Sequence, residues 1–244
     1  MFWWQSFFKR KKNPQHDLEE FIQGLQKQAG SHLKSVVLFG SMASGEFQPS
    51  HSDINVLLVI DDAAIPALEN LSKPLQRWAA KGHTPPILLA AGELPAFSRA
   101  LPIEFLDILD HHRIVAGQNV LENFSVDSQF LRAHCEQQMA LMLVKLRQAV
   151  ALAGGHEARI RELLLHSVPS ALTLYRAILR LKEKLGKMSK IEAAERLARL
   201  AGIDAGELRQ LQEFHFSRKT DNVRDLLGHY LANMEKVYAY LLKS

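Results

Sequence analysis

The chain has 244 residues, 47% of them apolar, enough to bury one large core or two modest ones. Its formal charge of +4 comes from Lys9, Arg10, Lys11 and Lys12, with no acid before Asp17; the rest of the chain is neutral, and no nucleic-acid partner is expected. A single cysteine, Cys135, excludes an internal disulfide framework and fits a reducing cytoplasm, and no apolar run reaches the roughly 18–20 residues that span a bilayer.

Residues 1–16 open the chain as an aromatic and basic tail, beginning MFWWQSFFKRKK. Its cations follow the apolar run and no cleavage site appears, so it is not a secretory signal. The plainer expectation is that Phe2, Trp3, Trp4, Phe7 and Phe8 dock on the protein itself or on a second subunit of an oligomer. The alternative is membrane contact through residues 1–12, with aromatics among headgroups and cations against anionic lipid.

Residues 17–120 alternate helical and strand patterns and predict an α/β (α+β) domain with a mixed sheet. Leu18, Phe21, Ile22 and Leu25 recur at helical spacing from Asp17 to Ala29, and Gly30 stops the run. KSVVLF (34–39) and DINVLLVI (53–60) read as strands. Residues 66–81 read as one helix through Leu68, Leu71, Leu75 and Trp78. ILLAA (87–91) is expected as a third strand after Pro85-Pro86, and IEFLDIL (103–109) as a fourth after Pro102.

Residues 121–244 carry helical patterns alone and predict an all-α bundle, with the boundary between 117 and 126. Long amphipathic helices are expected over 128–152 and 156–185, the second bent near Pro169, which lacks an N–H. Ser189 with Glu192 forms a capping box, Asp204 with Glu207 starts a further helix, and a last one covers 221–242. Arg176, Arg180, Lys182 and Lys184 are expected on a solvated face, with a phosphate-facing role as the alternative, and Cys135 in the core. His111, His112 and Arg113 are expected on a loop surface, with a metal-ligand or phosphate-contact role as the alternative.

Chemistry concentrates in LFGSMASGEFQPSHSDINVLLVI (38–60). Gly40 stands where a strand turns into a short helix; a glycine there lets backbone approach a phosphate, and helix-start N–H groups suit an anion. Ser41 adds a hydroxyl. Asp53 and Asn55, two residues apart, project from one strand face. Hard oxygens beside a phosphate cradle are what Mg²⁺ shared with a triphosphate requires. Read alone, Asp53-Ile54-Asn55 is also compatible with turn capping before a buried strand.

Gly40-Ser41, eleven intervening residues and Asp53-Ile54-Asn55 between apolar strands resemble the motif of the nucleotidyltransferase superfamily. PIEFLDIL resembles the segment bearing the catalytic glutamate of aminoglycoside adenylyltransferases, which also carry a C-terminal bundle. IEFLDILDHHRIVAG is similar to uncharacterised bacterial two-domain nucleotidyltransferases. The resemblance implies Mg-dependent transfer of NMP, AMP in the first instance, from an NTP to a small-molecule or protein acceptor hydroxyl. It makes Gly40 and Ser41 nucleotide-binding, Asp53, Asn55 and Glu104 metal ligands, and Asp53 and Glu104 catalytic, with Glu104 accepting the acceptor's proton and Asp107 its runner-up. Strand alternation would let only one of those two acids face the metal.

Two departures qualify the expectation: Ser44 stands where relatives often have arginine, and Asn55 replaces the second carboxylate. An asparagine carbonyl ligates Mg²⁺ without adding charge. A charge lost about 4 Å from a cation matters by roughly 4 kcal/mol at an effective dielectric of 20, before water compensates. Mg²⁺ is commonly held by one or two carboxylates plus phosphates and waters. A nucleotide-bound ion therefore survives on Asp53, and the ion that would activate the acceptor is in jeopardy. A weakened, nucleotide-binding regulatory protein is the alternative, and a membrane-associated scaffold is a third class.

Overall fold

The structure, a computed structural model, describes residues 13–45, 47, 53–122, 124–183, 188–217, 220 and 222–243. The aromatic tail of residues 1–12 lies outside the described residues. The chain divides into two compact units, Met1–Val126 and Asp127–Ser244.

In the first unit, α1 (Pro14–Ala29) starts with proline at its first position, and the Asn13 side chain accepts a hydrogen bond from the His16 N–H. It buries Leu18, Phe21, Leu25 and Ala29. A short turn leads to β1 (Leu33–Phe39), then α2 (Ser41–Ser44), β2 (Asn55–Ile60), α3 (Ile65–Asn70), α4 (Ser72–Ala80), β3 (Ile87–Ala90), α5 (Leu94–Ala100), α6 (Pro102–Asp110) and β4 (His112–Gly117). The four strands form one mixed sheet in the order β3-β2-β1-β4, with β1 antiparallel to both β2 and β4, and β2 parallel to β3.

Alternation splits the strand residues between two cores. Val36, Leu38, Val56 and Leu58 pack with Leu18, Phe21, Leu25 and Trp78 beneath α1 and α4. Val37, Leu57, Val59 and Leu89 pack on the other face with Leu94, Phe105 and Ile108 of α5 and α6. Strands covered on both faces read as unbroken apolar runs, which is why VVLF of β1 and VLLVI of β2 carry no polar alternation.

Two expectations are corrected. Residues 103–109 are not a strand: they lie in α6, and the fourth strand is HRIVAG, residues 112–117. The alternation of IEFLDIL imitates a strand, but Pro102 occupies the first helical position, where its fixed φ and missing N–H suit a helix start. The buried pair Phe105 and Ile108 is spaced three apart, as a helix requires. Helix 66–81 is broken into α3 and α4 at Leu71. Pro74 supplies the reason, since it cannot donate to the Asn70 carbonyl and its ring crowds that oxygen.

The second unit consists of α7 (Ser128–Ala153), α8 (Glu157–Lys182), α9 (Lys190–Leu200), α10 (Ala205–Ser217) and α11 (Val223–Lys243). α8 runs as one helix through Pro169 and buries Leu164, Val168, Leu174, Tyr175, Ile178 and Leu179. The Ser189–Glu192 capping box is formed at the start of α9. Cys135 is fully buried, and burial pushes its thiol up to about 12. Arg176 departs from the expected solvated face: it is only 5% exposed. Among the described residues no helix is long and apolar enough to cross a membrane.

Candidate nucleotide site

Gly40 closes β1 with φ 73° and ψ −148°, a conformation open to glycine and strained for other residues. Its N–H donates to the His111 carbonyl at 3.0 Å, and its own carbonyl accepts from the N–H groups of Ala43 and Ser44, each at 3.0 Å. The loop is thereby anchored to the residue before β4 and folded into the single turn of α2. Ser41 is the first residue of that turn, and Gly45 ends it in the left-handed region at φ 85°.

Across the sheet, Phe39 pairs with Asn55 on one side and with His112 on the other. Residues paired this way in antiparallel strands share a face. Phe39 belongs to the core under α6, so Asn55 and His112 also lie on that face. Asn55 reaches toward the loop: a Cβ placed on Gly40 would sit 3.0 Å from Asn55 Nδ2, while no other Asn55 atom but Cγ, at 3.9 Å, comes within 4 Å of that point. The amide nitrogen is turned to Gly40 and the carbonyl oxygen away from it. Asp53 lies two residues ahead of β2, half-buried, separated from Asn55 by the fully buried Ile54. Gly40, Ser41, Asp53 and Asn55 thus collect at one end of the central strand pair.

Glu104 sits in the first turn of α6, six residues and about 9 Å of helical rise before Asp110. Its Oε2 is sealed from solvent and has no hydrogen-bond partner. Asp107 follows one turn later, so a helix places the two acids three residues apart on neighbouring positions, where a strand would have sent them to opposite faces.

Mg²⁺, the cation that the motif implies, asks for oxygen ligands. The Asp53 carboxylate and Asn55 carbonyl are such ligands and suit one ion completed by phosphate and water oxygens. Among the described residues no three His, Cys, Asp or Glu side chains are grouped to hold a metal, and β3, the strand beside β2, reads ILLA without a carboxylate.

The sequence reading puts His112 on a loop surface, with a metal-ligand or phosphate-contact role as the alternative; the structure instead makes it the first residue of β4. Its Nδ1 lies 3.0 Å from the Ile108 carbonyl and 3.2 Å from that of Leu109, closing the C-terminus of α6. The signal available was the short apolar run Ile114-Val115-Ala116 ended by Gly117, interrupted by a bulge in β4.

Away from this end, Lys81 Nζ donates to Asp17 Oδ1 and Glu20 Oε2, each at 2.6 Å, and His83 Nε2 lies 3.0 Å from Asp17 Oδ2. Burial raises the Asp17 carboxyl, but hydrogen bonds from Lys81 and His83 outweigh it and hold the group below the usual range. His83 also stacks on Trp78 at 4.0 Å, and Trp78 on Phe21 at 4.4 Å. This network ties α1 to the end of α4 and is structural.

Comparison with known proteins bears on the fold. Residues 18–94 match the nucleotidyltransferase domain family. No curated protein matches the sequence. Among solved structures, the crystal structure of spectinomycin adenyltransferase AAD(9) from Enterococcus faecialis with ATP and spectinomycin has a similar fold. The TM-score is 0.59 at 13% identity, over 93% of this chain and 98% of that one. The mixed sheet with its Gly40 loop, followed by a helical unit, is the fold of a nucleotidyltransferase domain with a C-terminal helical region, resembling the aminoglycoside adenylyltransferases.

Proposed function

We propose that the protein transfers NMP, AMP in the first instance, from a Mg-bound NTP to a hydroxyl of a small-molecule acceptor. The observation that carries this reading is the meeting of Gly40, at φ 73°, with Asn55 at the start of β2. Backbone at Gly40 and the Ser41 hydroxyl would receive the phosphates. Asp53, helped by the Asn55 carbonyl, would hold one Mg²⁺, which would neutralise charge on the triphosphate. The acceptor oxygen bonds to the α-phosphorus, the bond to pyrophosphate breaks, and the acceptor's proton passes to a carboxylate of α6. Glu104 is assigned that role, with Asp107 one turn on as its alternate.

Asn55 favours a second reading, a nucleotide-binding regulator without turnover. Binding of ATP with and without Mg²⁺, followed by pyrophosphate release, separates the two on wild type, Asp53→Ala and Asn55→Asp. Spectinomycin, present with ATP in the similar structure, is the first acceptor to supply. Mg-dependent binding abolished in Asp53→Ala, with pyrophosphate released by wild type, supports transfer. Binding without release, restored to turnover by Asn55→Asp, selects the regulator. Absence of binding at millimolar ATP refutes both.

A further inference from the structure

We propose that His112 is a triphosphate-binding residue, its Nε2 donating to phosphate oxygens seated at Gly40 and Ser41; this rests on the nucleotide-binding reading above. The carbonyls of Ile108 and Leu109, 3.0 and 3.2 Å from Nδ1, can only accept, so Nδ1 carries a hydrogen. That fixes the working atom as Nε2. Among the described residues Nε2 has no hydrogen-bond partner, and it is not sealed from solvent.

Its position follows from the sheet. His112 pairs with Phe39, the residue before Gly40, and the Gly40 N–H donates to the carbonyl of His111. The loop and the histidine are therefore locked together through adjacent backbone groups. β4 flanks β1 on the side opposite β2, so a phosphate at Gly40 and Ser41 has Asp53 and Asn55 to one side and His112 to the other. An imidazolium offers a donor at each nitrogen, one for α6 and one for the phosphates.

Two substitutions separate this role from simple closure of α6. In H112N the side-chain amide occupies the place of Nδ1 and Nε2 is lost; in H112Q the amide reaches the place of Nε2. Binding of Mg-ATP and of AMP is measured on both variants and on wild type, with thermal unfolding alongside. A charge-assisted hydrogen bond to phosphate accounts for about ten-fold or more in affinity. H112N is expected to keep its Tm, weaken Mg-ATP binding by about ten-fold or more and leave AMP binding unchanged. H112Q is expected to retain Mg-ATP binding. In wild type, which needs no variant to fold, the ¹⁵N signal of His112 Nε2 should move to the protonated range on adding Mg-ATP and stay in place with AMP.

Equal Mg-ATP binding by H112N and wild type, or parallel loss of ATP and AMP, overturns the assignment. So does unchanged binding with slowed pyrophosphate release, which would make His112 a proton acceptor. Failure of wild type itself to bind Mg-ATP refutes the parent reading instead, and Asp53→Ala then behaves no differently from wild type.

Discussion

Replacing Gly40 by alanine perturbs the site through its backbone. At φ 73° and ψ −148° an L-residue is strained, which costs about 1–3 kcal/mol. The new Cβ would also stand 3.0 Å from Asn55 Nδ2, a flexible end that can move a few tenths of an ångström, adding under about 1 kcal/mol. The sum is about 1–4 kcal/mol, or roughly 4–16 °C in Tm for a unit of this size. Two other glycines calibrate the value. Gly45, at φ 85° with open space around it, should lose only about 1 kcal/mol on conversion to alanine. Gly92 has neither positive φ nor a neighbour within 4 Å, and its conversion should be neutral or stabilising by about 0.5 kcal/mol. Urea unfolding followed by circular dichroism, with Mg-ATP binding measured on the same samples, gives the order. If Gly40→Ala is no more destabilised than Gly45→Ala, the Asn55 contact is not the constraint, and the coupling of loop to β2 fails with it.

Asp17→Asn should cost about 1–3 kcal/mol, because Lys81 and the buried His83 lose a charged partner. The folded carboxyl lies below its unfolded value, so its contribution is full above about pH 4 and is lost as pH falls through the folded value. Acid unfolding of wild type should therefore steepen there, and the variant's profile should be flatter; equal slopes refute the argument. Glu104→Gln replaces a carboxylate whose Oε2 is buried without a partner, so stability should hold or rise by up to about 1 kcal/mol while pyrophosphate release falls at least ten-fold if Glu104 takes the proton. Retained release with Asp107→Asn inactive would transfer the role to Asp107.

The elements most legible in the sequence were those with an unambiguous local cause. The apolar runs of β1 and β2, the Ser189–Glu192 capping box and the glycine at the end of β1 each fold as their residue types dictate. IEFLDIL was misread because seven residues fit periods of both 2 and 3.6, and only packing of Phe105 and Ile108 against Val37 and Leu57 decides between them. The motif named Gly40, Ser41, Asp53 and Asn55, which the structure brings to one end of the central strand pair. His112 was legible only as an alternative to a loop-surface residue, since its relation to Gly40 arises from pairing between strands more than 70 residues apart in the chain.

The irregularity in β4 sets a limit on its length. Val37 pairs with Ile114 and Val36 with Ala116, leaving Val115 as the extra residue of a bulge. On one side of the bulge His112 is held opposite Phe39; on the other Gly117, at φ 79°, lies so close to Lys34 that any Cβ would collide with its carbonyl. Both ends are therefore pinned, and the five steps between them act as a ruler. Deleting Val115 would either drag His112 out of line with the phosphate loop or drive Ala116 into the berth that admits only glycine. The strand can exchange side chains at Arg113, which faces solvent, far more readily than it can change its count.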